Sequence, residues 1–258
     1  MTHEEERVWL IKKLLAEDGK QNYKIPTDEI SQRDLLRSLM NVRMPKPISS
    51  EFMSIQDNYL KEENLRSKLT DLNELSPTKL DKRLFLWQGD ITTLRVDAIV
   101  NAANSQMCGC FQPLHNCIDN IIHSKSGLAL RNKCYEIMKE QGHEEPTGMA
   151  KITPAYNLPC KYVIHTVGPI VQGPLTKEHE ELLASCYRSC LQIAEDNGIN
   201  SIAFCCISTG VFMFPNNRAA EIAVKTVKEW LGNSDTQMRV IFNVFKDTDY
   251  SIYNSLLN

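Results

Sequence analysis

The sequence has no excess of basic charge and no apolar run long enough to cross a bilayer. It carries 29 Lys and Arg against 32 Asp and Glu, a formal net charge of -3. No global field therefore draws nucleic acid or an anionic membrane surface, and neither is an expected partner. No stretch approaches the roughly 18 apolar residues that a membrane span needs. The N-terminus, Met1-Thr2-His3-Glu4-Glu5-Glu6, is acidic where a secretory leader is basic, so the expected location is cytoplasmic. An even cysteine framework is lacking too. The nine cysteines are odd in number and scattered, which points to reduced thiols, some in the core and some serving as ligands. Cys205 and Cys206 fall in an apolar stretch that reads as a strand, and they belong to the core.

A chain of 258 residues holds one large α/β domain with an appendage, or two modest domains. Residues 1–80 read as a helical N-terminal extension. Val8, Leu10, Ile11, Leu14 and Leu15 mark one amphipathic segment. Ile30, Leu35, Leu36, Leu39 and Met40 mark a second over residues 28–40, with Thr27 as its N-cap. Met44-Pro45-Lys46-Pro47 ends it. A third helix is expected over about 49–61, then a polar helix or linker over 63–75. None of this carries a catalytic constellation, so the expected role is packing or partner docking.

From Leu84 the texture changes. Strands are expected at 84–87, 96–100, 150–153, 162–165, 201–207 and 238–244. Helices are expected at 118–138, broken at Ser126-Gly127, and at 178–196, 216–231 and 247–256. Strands apolar on both faces require a sheet between helical layers, a three-layer α/β/α domain over residues 81–258. In such folds the ligand sits over the carboxyl ends of the strands, where unpaired backbone N–H groups are presented. The loops after Trp87, Val100, Ile207 and Val244 are therefore the places to look.

Each of those loops carries something. Asp90 follows the first strand, where a carboxylate can accept from an exocyclic amine or cap the next turn. Asn101 and Asn104 each offer a donor and an acceptor, suited to vicinal ribose hydroxyls and equally to ordinary turns. Ser208-Thr209-Gly210-Val211-Phe212 combines a glycine turn, hydroxyls and a following helix, which makes a phosphate cradle or a plain strand-to-helix connection. Phe245, past the last strand, either covers a purine or fills core.

Cys110, His115 and Cys117 supply two thiolates and an imidazole in a short span, a set suited to zinc. Extended backbone over 115–119 would put His115, Cys117 and Asp119 on one side. Asp119 could also cap a helix starting at Asn120. Cys108 is a candidate fourth ligand, which would close the site as a structural one; without it one position stays open, as in catalytic sites. His123 and His143 read as helix-surface or loop histidines. The His-x-Glu and paired-cysteine signature of a zinc nucleobase deaminase does not occur around this cluster.

Taken together, several segments resemble the macrodomain family, in family order over residues 82–255. They are Gly89-Asp90-Ile91-Thr92, Val96-Asp97-Ala98-Ile99-Val100-Asn101-Ala102-Ala103-Asn104, Ile118-Asp119-Asn120 with Ile122-His123, Pro146-Thr147-Gly148 with Ala150-Lys151-Ile152-Thr153, His165-Thr166-Val167-Gly168-Pro169, and Ser208-Thr209-Gly210-Val211-Phe212. The resemblance is nearest to MacroD-type hydrolases, with one departure. Where those carry a glycine-rich loop, this chain has Cys110-Phe111-Gln112-Pro113-Leu114-His115-Asn116-Cys117. That loop and the helical extension are similar to the zinc-dependent macrodomain branch.

The resemblance implies a macrodomain with a mixed central sheet, ADP-ribose as ligand and Zn2+ held by Cys110, His115 and Cys117. It implies Asp90 and the Ile91 amide at the adenine, Phe245 on its ring, and Ser208, Thr209, Gly210, Val211 and Phe212 around the diphosphate. Asn101 and Asn104 would meet ribose, and Asn104 and Asp119 would be the catalytic residues. The implied activity is removal of a single ADP-ribose from a modified protein side chain. A lipoyl-carrier protein is the implied substrate and a sirtuin-type ADP-ribosyltransferase the functional partner. An ADP-ribose reader with structural zinc and an O-acetyl-ADP-ribose deacetylase are the alternatives.

Overall fold

The structure, a computed structural model, describes residues 1–258. Three helices open the chain: α1 (His3–Glu17), α2 (Glu29–Val42) and α3 (Ser50–Arg66). Each starts on a side-chain oxygen that accepts a first-turn amide, Thr2 from Glu5, Asp28 from Ser31 and Ser49 from Phe52. Asp28 rather than the expected Thr27 caps α2, because the helix begins at Glu29 and the cap must stand three residues before the amide it binds. α3 runs past residue 61 to Arg66, whose guanidinium pairs with Glu62 and Glu63 along the last turn. The rest of 63–75 forms strand β1 (Thr70–Asp71) and a 3-10 turn (Leu72–Glu74).

The remaining strands are β2 (Leu84–Gln88), β3 (Leu94–Arg95), β4 (Ala98–Ala103), β5 (Ala150–Pro154), β6 (Tyr162–Val167), β7 (Ser201–Phe204) and β8 (Arg239–Val244). Six of them form one sheet in the order β2-β8-β7-β4-β6-β5, parallel throughout except that edge strand β5 runs antiparallel to β6. The short β1 and β3 pair separately. The later helices are α4 (Ile118–Ser126), α5 (Leu128–Gln141), α6 (Lys177–Asp196), α7 (Asn216–Gly232) and α8 (Asp247–Leu257). α4 and α5 pack as a pair and α6, α7 and α8 in succession, with the sheet between the two groups. Because helices cover both faces, β4, β6, β7 and β8 are buried almost end to end.

β7 ends at Phe204, so Cys205 and Cys206 lie beyond the strand and not within it. β7 meets β4 only at Ala98 and Ile99, and its pairing with β8 ends at Phe204. Cys205 is nonetheless buried. No helix is long and apolar enough to cross a membrane.

One core of 47 buried residues fills the space around the sheet. A second, of 10, joins Leu10, Ile11, Leu14, Leu15, Leu36, Met40, Phe52, Tyr59 and Leu60 of the extension to Leu128, the first residue of α5. The extension therefore shares its core with the helix pair that follows β4.

Candidate active site

β4 continues to Ala103, so Asn101 is a strand residue, fully buried, and not part of a loop after Val100. Its Nδ2 donates to Asp119 Oδ1 at 2.8 Å and to His165 Nδ1 at 3.1 Å. Asn104, half-buried, closes the turn that follows: Oδ1 accepts from the amides of Gln106 and Met107 at 3.0 and 3.1 Å, and Nδ2 donates to Gly109 O at 3.2 Å. Of the two asparagines expected at ribose, Asn101 stands behind the site and Asn104 shapes its loop.

α4 begins at Ile118, and Cys117 is its cap, with Sγ accepting from the Asn120 amide at 3.4 Å. The backbone is thus not extended through 119, and Asp119 is not the cap. The helical turn carries its carboxylate inward, where it is 4% exposed. Burial pushes that carboxyl up to about 6, against the lowering pull of the Asn101 hydrogen bond and the Arg131 charge. Oδ2 takes no hydrogen bond from the protein, yet it is not among the sealed orphan atoms, so one oxygen remains available.

His123, one turn further along α4, is buried and not on the surface as expected. It lies on the inner side of the helix because it is four residues after Asp119. Burial, with His165 and Arg131 nearby, holds it neutral. Its Nε2 stands 3.6 Å from Asp119 Oδ1, a neutral neighbour and not an ion pair. The ring lies against Gly109, where an added Cβ would come within 2.8 Å and where φ is +83°. A glycine there lets the loop pass over the imidazole. His165 accepts from Asn101 at Nδ1, which assigns its proton to Nε2, facing Thr153 Oγ1 at 3.0 Å and Cys134 Sγ at 3.8 Å. His143 is exposed in a loop, as expected.

The ligating atoms of Cys110, His115 and Cys117 all lie within 4.8 Å of one another, with Cys110 Sγ 3.6 Å from His115 Nδ1. Burial pushes the Cys117 thiol up, and the neighbouring Cys110 pushes it further. A cation between the two sulfurs would remove that penalty, so two thiols and an imidazole fit a borderline-soft divalent metal. Cys108 is not in this group. It is buried, and the charges acting on its thiol are those of Arg131 and Asp119. Three protein ligands leave one tetrahedral position open.

The other expected residues stand over the same strand ends. Asp90 caps a 3-10 turn (Ile91–Thr93) through the Thr92 amide at 3.0 Å and pairs with Lys125 Nζ at 2.7 Å. Burial alone would raise its pKa; Lys125 and Thr92 reverse that and hold the carboxyl below its ordinary value. Ile91, which opens that turn, is buried at 1% exposure. Ser208 adopts φ 65°, with a buried Oγ that has no partner. Past it, Thr209 Oγ1 donates to Cys206 O, and Val171 donates to Phe212 O at 2.9 Å. The amides of Gly210, Val211 and Phe212 have no acceptor within the protein, an arrangement that suits an anion. Phe245 is 75% exposed beyond β8. Lys125 escaped the sequence reading; it follows Asp119 by six residues, under two turns of α4, so one helix carries both the buried carboxylate and the partner of Asp90.

Residues 100–223 match a family model described as Macro domain. A protein-ADP-ribose hydrolase of Treponema medium is 56% identical over 261 residues, covering 100% of both chains. The chain belongs to the macrodomain family. A protein-ADP-ribose hydrolase of Staphylococcus aureus (strain MSSA476) is 52% identical to this macrodomain over 87% of the chain and 84% of its own length. The crystal structure of the Trypanosoma brucei macrodomain in complex with ADP-ribose has a TM-score of 0.68 and 28% identity, covering 83% of this macrodomain and 92% of that chain.

Proposed function

We propose that this macrodomain is a zinc-dependent hydrolase that removes a single ADP-ribose from a modified protein side chain. The observation that carries the proposal is a buried carboxylate, Asp119, two residues after the last member of a three-ligand metal group. Recognition of ADP-ribose needs neither. The names of the Treponema medium and Staphylococcus aureus relatives support hydrolysis, and the ligand of the Trypanosoma brucei structure supports ADP-ribose binding.

Asp90 and the Ile91 amide take the adenine edge, Phe245 covers its ring, and within the loop from Ser208 to Phe212 the free amides of Gly210, Val211 and Phe212 hold the diphosphate. Asn104 keeps the loop closed against the distal ribose. Cys110, His115 and Cys117 would hold Zn2+, which when bound supplies a Lewis acid to polarise or orient a distal-ribose hydroxyl near the scissile C1 bond. Asp119 accepts the proton of the attacking water at its free oxygen as the water oxygen bonds to C1 and the bond from C1 to the protein side chain breaks. It then returns that proton to the departing side-chain atom. A carboxyl raised to about 6 suits a general base working near neutral pH. Asn101 holds the other oxygen so that the free one points at the reacting centre. We further propose residues 1–80 and 81–258 as the two structural units, a lipoyl-carrier protein as the substrate, a sirtuin-type ADP-ribosyltransferase as the partner, and a cytoplasmic location.

The test is incubation of mono-ADP-ribosylated protein with wild type, Asp119→Ala and Cys117→Ala, reading free ADP-ribose. Wild type releases it and both variants lose release, while Asp119→Ala still binds free ADP-ribose. A wild type that binds but releases nothing from several side-chain linkages is a reader, and the enzymatic proposal fails. Turnover of O-acetyl-ADP-ribose alone identifies a deacetylase.

A further inference from the structure

The loop that carries Cys110, His115 and Cys117 is held from outside by the N-terminal extension. Arg37 on α2 donates through Nη2 to His115 O at 2.7 Å and to Asn120 Oδ1 at 2.9 Å. One turn on, Asn41 accepts from the Leu114 amide at 3.1 Å and donates to Ser124 Oγ at 2.9 Å. Asn120 in turn donates through Nδ2 to Cys110 O at 3.3 Å and Gln112 O at 2.9 Å. A guanidinium has no acceptor, so Arg37 dictates which end of the Asn120 amide is oxygen and turns the NH2 toward Cys110 and Gln112. Two of the three ligand residues are oriented through their own carbonyls, His115 directly and Cys110 through Asn120.

Other features agree. Arg37 and Asn41 are four residues apart and share one face of α2. Arg37 Nε is buried without an acceptor, so the guanidinium gives up one donor in order to reach the loop. Leu114 sits at φ 55°, where a leucine rarely stays unsupported, and Asn41 holds its amide. At the end of α2, Arg131 of α5 donates through Nη1 to the carbonyls of Met40, Asn41 and Arg43. Its Nε donates to Cys108 O at 2.9 Å, which ties the start of the loop to the same helix.

We infer that α2 is the scaffold of the metal loop, with Arg37 and Asn41 as positioning residues for His115 and Cys110. This rests on the zinc reading above and gives the extension a task inside the active site's support, in place of partner docking. Groups that orient metal ligands set both metal affinity and the placement of what the metal polarises. They do not touch the nucleotide loops.

Wild type, Arg37→Ala, Arg37→Lys, Asn41→Ala and Leu14→Ala are loaded with zinc, and the metal is titrated away with a chromogenic chelator. Thermal melting, ADP-ribose affinity, kcat and KM are measured on the same samples. Arg37→Ala and Asn41→Ala release zinc about 10- to 100-fold more readily and lose kcat, with KM and ADP-ribose affinity within about twofold of wild type. Arg37→Lys keeps a donor for His115 O and recovers part of both losses. Leu14→Ala, in the core that the extension shares with α5 and away from the ligand loop's hydrogen bonds, melts lower but keeps its zinc. Arg37→Ala and Asn41→Ala that hold zinc as tightly as wild type overturn the inference, and so does zinc loss in Leu14→Ala in step with its lower melting temperature. A wild type that takes up no zinc overturns the metal reading itself, and this inference with it.

Discussion

Asn101 donates to Asp119 across 2.8 Å, at a point where the two residues are 0% and 4% exposed. The second proton of the same amide goes to His165 Nδ1, so the amide cannot rotate without losing both bonds. The aim of Asp119 is therefore inherited from β4 and β6, two strands buried almost end to end. Asn101→Ala is expected to lower kcat by about 100-fold, the cost of a small displacement of a reacting group, with ADP-ribose affinity retained. Steady-state kinetics on mono-ADP-ribosylated protein, with calorimetry on free ADP-ribose, checks this; an unchanged kcat would mean that Asp119 needs no such support.

The two buried imidazoles make the fold sensitive to acid. Burial drives His165 from an ordinary 6.5 down to about 3, and His123 also lies well below the usual range. Between those values the unfolded chain binds protons that the folded chain refuses, so stability is lost as pH falls from about 6.5 toward 3. The slope is up to about 1.4 kcal/mol per pH unit for each histidine. Asp119 has a raised folded pKa and takes up its proton in the folded state first, which offsets part of the loss below about 6. Urea unfolding at a series of pH values reads the net slope. His165→Gln flattens the acid limb, and an unaltered slope in that variant would assign the sensitivity to other groups.

Phe245 is 75% exposed and packs against no core, whereas Phe214, in the loop after β7, is 1% exposed. A ring kept in water at the end of β8 has no folding role to lose. Phe245→Ala is expected to leave the melting temperature unchanged and to weaken ADP-ribose binding by about 1–3 kcal/mol, the usual loss when a stacked base loses its aromatic partner. Phe214→Ala melts lower by the cost of a core cavity, about 3–5 kcal/mol. Equal ADP-ribose affinity in Phe245→Ala and wild type would remove the ring from the adenine site.

What the sequence disclosed and what it hid follow from the range of the interactions. Strands apolar on both faces announced the buried sheet, and the spacing of Cys110, His115 and Cys117 announced that their ligating atoms would meet, because a short loop cannot separate its own residues far. His123 was misread because it lacks sequence neighbours comparable to the Cys110, His115 and Cys117 set, and Ser124 and Lys125 after it are polar. Its burial comes from packing that those neighbours do not encode. Asn101 was assigned to a loop because asparagine is depleted in strands; its place in β4 is explained by a polar network whose other members are 18 and 64 residues away. Arg37 leaves still less trace, since a donor to a carbonyl 78 residues distant has no local periodicity.

Gly168 and Ser208 meet where β6 and β7 hand the chain to their loops. A Cβ at Gly168 would fall well inside contact distance of Ser208 Oγ and at 2.8 Å from Ile207 Cγ2. Ser208 has little room to retreat, because it is buried, sits at φ 65° and starts the turn that presents the Gly210, Val211 and Phe212 amides. Gly168→Ala is expected to cost about 1–3 kcal/mol of stability, the usual price of overpacking, and to weaken ADP-ribose binding by displacing those amides. Gly210→Ala, with nothing within 4 Å of its added Cβ, leaves stability unchanged and serves as the control. The double variant Gly168→Ala with Ser208→Gly removes the opposing Oγ and relieves the positive φ, so it recovers binding that neither neighbour's loss would predict. Thermal melting and calorimetry on wild type, Gly168→Ala, Ser208→Gly, the double variant and the Gly210→Ala control decide the matter: additive losses in the double variant would show that the two residues do not act on each other.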